Sequence, residues 1–201
     1  MRQKIHSHEV GLCTKVNDDA IVWIPKCGTT VFRSYDSVKY NYHDYNVKQY
    51  WVMLRDPYSR WKSGIGEYAF RNPEKEEEIL DTIDTIEFDE HTTPQTKFLT
   101  FTEKLEFPTQ YFLLEREGME KLNSQLKLFD TDVQTGRQVL YTSIYNISFV
   151  NMSKLFFLKK LDGVLSKSLI SKVDEYYHDD YMLIKNNISD NSEFSVSIRH
   201  K

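Results

Sequence analysis

Lys26-Cys27-Gly28-Thr29-Thr30 gathers the residue types that hold an oxyanion. Gly28 lets a backbone come close to a ligand, Thr29 and Thr30 offer hydroxyls, and Lys26 adds a full positive charge. Opening a helix at the two threonines would bring its free N–H groups and dipole to bear on the same anion. About 30 residues later stands Arg55, whose planar guanidinium can fork onto a phosphate. Ser63 can offer a hydroxyl to the same group, and Arg60, three residues earlier, shares its helix face. The loop is not a Walker motif. There the lysine falls between glycine and the hydroxyl residue, whereas Lys26 precedes both, which argues against an ATP- or GTP-hydrolysing loop.

These residues need strands and helices to aim them. The run Ala20-Ile21-Val22-Trp23-Ile24, bounded by Pro25, reads as a buried strand. Val31, Phe32, Tyr35 and Val38 then recur at helical spacing, so the loop joins a strand to a helix. A second strand, Tyr50 to Leu54, ends at Arg55-Asp56-Pro57. Asp56 is a preferred N-cap and Pro57 a preferred first residue, so a helix should run from there to about Phe70. Two buried strands joined by a helix imply a parallel, right-handed βαβ unit. In such sheets ligands sit at the carboxyl ends of the strands, where both basic segments fall.

Further on, Pro73 to Ile86 reads as an acidic, solvated helix, with Glu74, Glu76, Glu77 and Glu78 at its start. Gln110 to Leu114 reads as a third parallel strand. Met119 to Phe129 has helical spacing, with Leu122, Leu126 and Phe129 on one face. Ser166 to Ile184 reads as one long helix facing the core through Leu169, Val173, Tyr177, Tyr181 and Ile184. The polar stretch 187–201 reads as a frayed tail. No repeat or linker divides the chain, so 1–201 is expected to form one domain of α/β class, a central, mainly parallel sheet flanked by helices.

Pro25-Lys26-Cys27-Gly28-Thr29-Thr30 resembles the 5′-phosphosulfate loop, PKxGTT/S, of sulfotransferases that use 3′-phosphoadenosine 5′-phosphosulfate (PAPS). Leu54-Arg55-Asp56-Pro57-Tyr58-Ser59-Arg60-Trp61-Lys62-Ser63 resembles the 3′-phosphate motif of the same family, RDPxxRxxS. His91-Thr92-Thr93-Pro94-Gln95 is similar to the HxxPQ segment of its carbohydrate branch, the chondroitin 4-O and HNK-1 type. Tyr177-His178-Asp179-Asp180-Tyr181 resembles that branch's C-terminal Tyr-rich helix. The resemblance runs in order from Ile21 to about Ile184. The chain departs from the branch in being short, in lacking a membrane anchor, and in lacking the cysteines that follow HxxPQ in the animal enzymes. It therefore looks like a compact bacterial or viral relative.

The resemblance implies a P-loop nucleotide-kinase-like fold, PAPS as sulfuryl donor, PAP as product, and a hydroxyl acceptor, a saccharide by the HxxPQ match. Lys26, Cys27, Gly28, Thr29 and Thr30 would hold the 5′-phosphosulfate, and Arg55 and Ser63 the 3′-phosphate. Lys26 would also stabilise the leaving phosphate oxygen. A base must take the acceptor proton. His91 is the first candidate, since imidazole titrates near neutrality. Glu67 is the second, although it also suits a structural pairing with Arg60 or Arg71. A catalytically silent PAP-binding module and, less favoured, a nucleotide or small-molecule kinase are the alternatives.

Cys27 beside a helix start is placed for a lowered pKa, yet it occupies the variable position of the motif and reads as a spacer. His6 with His8, and His43 with Asp44, lack further ligands at regular spacing, so no metal is expected. The net charge of −4 disfavours nucleic acid and anionic membranes, so an anion must be held by a local basic site. No run approaches the length of a spanning helix, and no secretory signal is seen. Two cysteines, Cys13 and Cys27, form no disulfide framework and fit a reducing, cytoplasmic setting. The Asn-x-Ser sequons at Asn146, Asn151 and Asn187 are then chance occurrences.

Overall fold

A computed structural model of the chain describes residues 12–28, 40–41, 47–99, 108–127 and 149–188. Leu12–Val16 (β1) and Asp19–Val22 (β2) form an antiparallel hairpin, with Val16 opposite Asp19. Asn17 in the turn has φ 56°, a left-handed conformation that asparagine tolerates better than most residues. Tyr40–Asn41 (β3) adds antiparallel to β1. Across β2 lie Gln49–Leu54 (β4) and then Thr109–Leu113 (β5), both parallel, giving the order β3-β1-β2-β4-β5. The three expected strands are therefore neighbours and parallel. The hairpin partner β1 and the short β3, which the sequence reading did not anticipate, make the sheet mixed.

The near-continuous apolar runs of β2 and β4 reflect burial on both faces. One face presents Ala20, Val22, Tyr50, Val52, Leu54 and Leu113, packed with Phe98, Leu99 and Ile184. The other presents Ile21, Trp51, Met53 and Phe112 to Met119, Leu122 and Leu126. Those last three belong to Arg116–Leu126 (α3), which stops at Lys127 in a left-handed C-cap. Phe129, expected on that face, lies outside the described residues, as does the expected helix around Val31 to Val38.

Pro57–Arg71 (α1) starts as anticipated: Pro57 is its first residue, and the Asp56 carboxylate accepts from the Ser59 N–H at 2.8 Å. The acidic segment after it is not one helix. It breaks into a 3-10 turn at Pro73–Lys75, a helix Glu76–Asp81 (α2) and a second turn at Ile83–Thr85. Ile79, Ile83 and Ile86 are all buried against the cluster of Trp61, Ile65 and Ala69, so the chain bends to deliver them. The same cluster takes Phe157 and Leu161 from Phe149–Val164 (α4), a helix with no counterpart in the sequence reading.

The expected long C-terminal helix is two helices, Lys167–Tyr176 (α5) and His178–Asn187 (α6). The break has a packing cause. Leu169, Val173 and Tyr177 pack on α1, whereas Ile184 packs on the sheet, and one straight helix face could not serve both. Helix α6 runs to Asn187, where fraying was expected; residues 189–201 lie outside those described. Among the described residues, no helix is long and apolar enough to cross a membrane.

Candidate active site

The loop after β2 is clasped by two arginines. Arg55, just past the end of β4, donates from Nη1 to the Lys26 carbonyl at 3.3 Å. Arg60, fully buried on α1, donates from Nε to the Pro25 carbonyl at 2.9 Å and from Nη1 to the Thr93 carbonyl at 2.6 Å. Arg60 is thus a structural tie between the loop, α1 and the His91–Gln95 segment. Burial holds the Arg55 guanidinium below its ordinary pKa, which marks a cation short of solvation. Within the loop, Lys26 and Gly28 have φ of 66° and 82°. Glycine adopts that region freely. For a lysine it costs on the order of 1 kcal/mol, so the surrounding structure must hold the loop in this form.

Gln95 ties the same loop end to the rest. Its Oε1 accepts from the Cys27 thiol at 3.1 Å and from the Arg55 backbone N–H at 2.9 Å, while its Nε2 donates to the Arg55 carbonyl at 2.9 Å. Asp180, buried on α6, accepts from the Gln95 and Thr96 backbone N–H groups at 2.7 and 2.9 Å. The Tyr177 hydroxyl donates to the Thr92 carbonyl. All four segments singled out in the sequence therefore meet through direct hydrogen bonds.

The Cys27 thiol departs from the lowered pKa that its place beside a helix start suggested. Burial pushes its thiol up to about 11, against the smaller lowering effects of Arg60 and Arg55. Its backbone N–H donates to the Ile24 carbonyl at 3.1 Å. Both donors of Cys27 thus serve the protein. Those two contacts space and anchor the loop at Cys27.

Lys26 Nζ donates to Glu67 Oε2 at 3.2 Å, and Lys154 Nζ on α4 reaches the same oxygen at 3.4 Å. Arg71 Nε donates to Glu67 Oε1 at 3.0 Å. Burial alone would raise the Glu67 carboxyl. The charges of Lys26 and Lys154, with hydrogen bonds from Lys26 and Arg71, outweigh it and bring the pKa down to about 2. A carboxylate so depressed is a poor proton acceptor near neutrality, which counts against Glu67 as the base. Its partners are Lys26, Arg71 and Lys154, and the expected pairing with Arg71 is among them.

His91 is 7% exposed. Its Nδ1 lies 2.8 Å from Asp89 Oδ2, and its backbone N–H donates to Asp89 Oδ1 at 2.9 Å. A carboxylate on Nδ1 favours the tautomer with the proton there, leaving Nε2 with a free lone pair. The His91 carbonyl rests on Gly64 of α1, where a Cβ would run into it. Gly64 follows Ser63, which is half-buried, so the His91 segment crosses α1 beside the expected phosphate serine. Thr29 and Thr30 lie outside the described residues. Among the described residues, no group of three His, Cys, Asp or Glu side chains is placed to hold a metal ion.

The sequence reading missed Lys154, Asp89 and the tying role of Gln95 and Asp180. Gln95 and Asp180 stood in motifs already noted, whereas Lys154 lies in no motif, and the packing of α4 on α1 brings it in. Compared with protein-family models, with curated proteins and with solved structures, the chain matches none. Fold and site together define a class: an α/β protein with a cluster of cations at the carboxyl ends of adjacent parallel strands.

Proposed function

We propose that the chain is a sulfotransferase, moving a sulfuryl group from PAPS to an acceptor hydroxyl, that of a saccharide by the HxxPQ resemblance. The observation that carries this reading is the Arg55 clasp on the Lys26 carbonyl. It joins the two basic segments from separate strand ends, as a donor with one phosphosulfate and one distant phosphate requires. The P-loop nucleotide-kinase-like sulfotransferase fold and a cytoplasmic setting go with the same reading.

Lys26 and the loop amides hold the phosphosulfate, while Arg55 and Ser63 hold the 3′-phosphate. The acceptor oxygen attacks sulfur as the bond from sulfur to the phosphate oxygen breaks. His91 Nε2 takes the hydroxyl proton, and Lys26 neutralises the charge left on the phosphate oxygen; the products are a sulfate ester and PAP. Positioning and charge stabilisation carry most of the catalysis, as in phosphoryl transfer.

Calorimetry with PAP and ADP tests the donor half. PAP should bind more tightly, because ADP lacks the 3′-phosphate; equal affinities would remove Arg55 and Ser63 from their roles. Transfer of labelled sulfate from PAPS to pooled sugar and phenol acceptors tests the rest. Tight PAP binding with no acceptor sulfated would favour a silent PAP-binding module.

A further inference from the structure

Lys154 belongs to none of the motifs. Its stem lies along α1 at Gly66, where any side chain would meet Lys154 Cε and Leu158. Its ammonium and that of Lys26 converge on one oxygen of Glu67, at 3.4 and 3.2 Å. Both lysine side chains are only 19% exposed, and Glu67 is 21% exposed. A structural ion pair needs one cation. A second one, partly desolvated beside the first, adds repulsion that a single carboxylate does not fully offset. Arg71 on the other carboxylate oxygen leaves the cluster with more positive charge still. Such an excess, with Lys26 itself in the strained loop at the strand ends, fits a site built to receive an anion.

We infer that Lys154 and Lys26 are the two walls of a seat for a tetrahedral oxyanion, which takes the place of the Glu67 carboxylate between them while Glu67 stays with Arg71. In its specific form, with the donor's sulfuryl end as the oxyanion, the inference rests on the sulfotransferase reading; the seat itself rests on the cluster alone. The charge state of Lys154 agrees with it. Burial, then the nearby charge of Lys26, pull its pKa down to about 8 against the opposing pull of Glu67. An anion between the lysines would relieve that depression.

The test uses the variants Lys154→Met and Lys154→Arg, with PAP and PAPS titrated calorimetrically in the absence of acceptor. PAP lacks the sulfuryl group, so the seat predicts a selective loss. Lys154→Met should weaken PAPS at least about tenfold and PAP by less than about twofold, as expected for losing one charge-assisted contact. Lys154→Arg should keep most of the PAPS affinity. Equal loss for both nucleotides, no loss for either, or an arginine variant as weak as the methionine one would overturn the inference. If the wild type binds neither nucleotide, the sulfotransferase reading falls and inorganic sulfate judges the seat. Sulfate, against chloride at equal ionic strength, should raise the melting midpoint of wild type but not of Lys154→Met. The same rise in both proteins, or none in wild type, would overturn it.

Discussion

Gln95 pairs with Arg55 through both ends of its carboxamide, accepting from the Arg55 backbone N–H and donating to the Arg55 carbonyl, each at 2.9 Å. One side chain thus continues, for one residue beyond β4, the pairing that a neighbouring strand would supply. That fixes the backbone from which the Arg55 guanidinium reaches the Lys26 carbonyl. Gln95→Ala leaves a part-buried N–H and C=O without these partners, and the Cys27 thiol without its acceptor. It should destabilise the fold by about 2–4 kcal/mol, read by urea denaturation, and weaken PAP as well. Gln95→Glu should do no better, because its second oxygen would face the Arg55 carbonyl and Asp180. A fully stable Gln95→Glu protein would show that the donor end of the amide is dispensable.

Arg55→Ala removes a cation from the expected 3′-phosphate position and a donor from the loop. PAP affinity should fall at least about tenfold, matching a charge-assisted contact of roughly 1.5–3 kcal/mol. Arg55→Lys should restore little, since an ammonium cannot fork onto a phosphate while also holding the Lys26 carbonyl. Calorimetry with PAP reads both variants, and recovery in Arg55→Lys would reduce the role to charge alone.

If the chain transfers a sulfuryl group as proposed, Lys26→Ala should lower kcat more than it lowers PAP affinity, because the ammonium would act on charge that grows as the sulfur–oxygen bond breaks. Comparing PAP binding with the rate of the donor-bound complex separates the two effects. A large affinity loss with an unchanged rate would make Lys26 an anchor only.

How much of this was legible in the sequence depends on the range of the interaction. Local signals worked. The Asp56-Pro57 start of α1 and the three apolar strands all rest on contacts or patterns a few residues long. Elements whose form depends on distant partners did not read correctly. The acidic segment bends because Ile79, Ile83 and Ile86 must all reach α1, and the C-terminal helix breaks because Tyr177 and Ile184 serve different clusters. Cys27 shows the same limit in chemistry: its neighbours along the chain imply a lowered pKa, but burial beside Gln95 raises it. Gly64 and Gly66 were the overlooked signal. Two glycines within one helix turn cost about 1 kcal/mol each against alanine, and here they admit the His91 carbonyl and Lys154.

Acid should expose the Glu67 cluster. Its folded pKa, about 2, lies below the ordinary carboxylate value of 4.5, so the stability it contributes is complete above the unfolded value. That contribution is lost as pH falls from about 4.5 towards about 2, and should amount to roughly 1–3 kcal/mol. Urea denaturation across this window should show wild type losing stability faster than Glu67→Gln, which has no proton to gain at this site. Parallel curves for the two proteins would mean that the three cations do not hold the carboxylate as their distances imply.

The base assignment separates His91 from Glu67 by where activity fails. With His91 as base, the acid limb of kcat/KM should vanish with the imidazole. With Glu67 as base, the limb should sit towards its pKa of about 2. His91→Ala should remove most turnover together with the limb, at near-normal PAP affinity, because no donor contact is assigned to it. Glu67→Gln should act differently. By removing the carboxylate that occupies Lys26 and Lys154, it should tighten PAPS binding while leaving the limb in place. Asp89→Asn supplies the finer check, since an amide on Nδ1 no longer enforces the tautomer that frees Nε2. It should lower kcat, leave PAP affinity alone and preserve the fold. Full activity in His91→Ala would end the assignment, and an unchanged kcat in Asp89→Asn would show that the Asp89 pairing is structural.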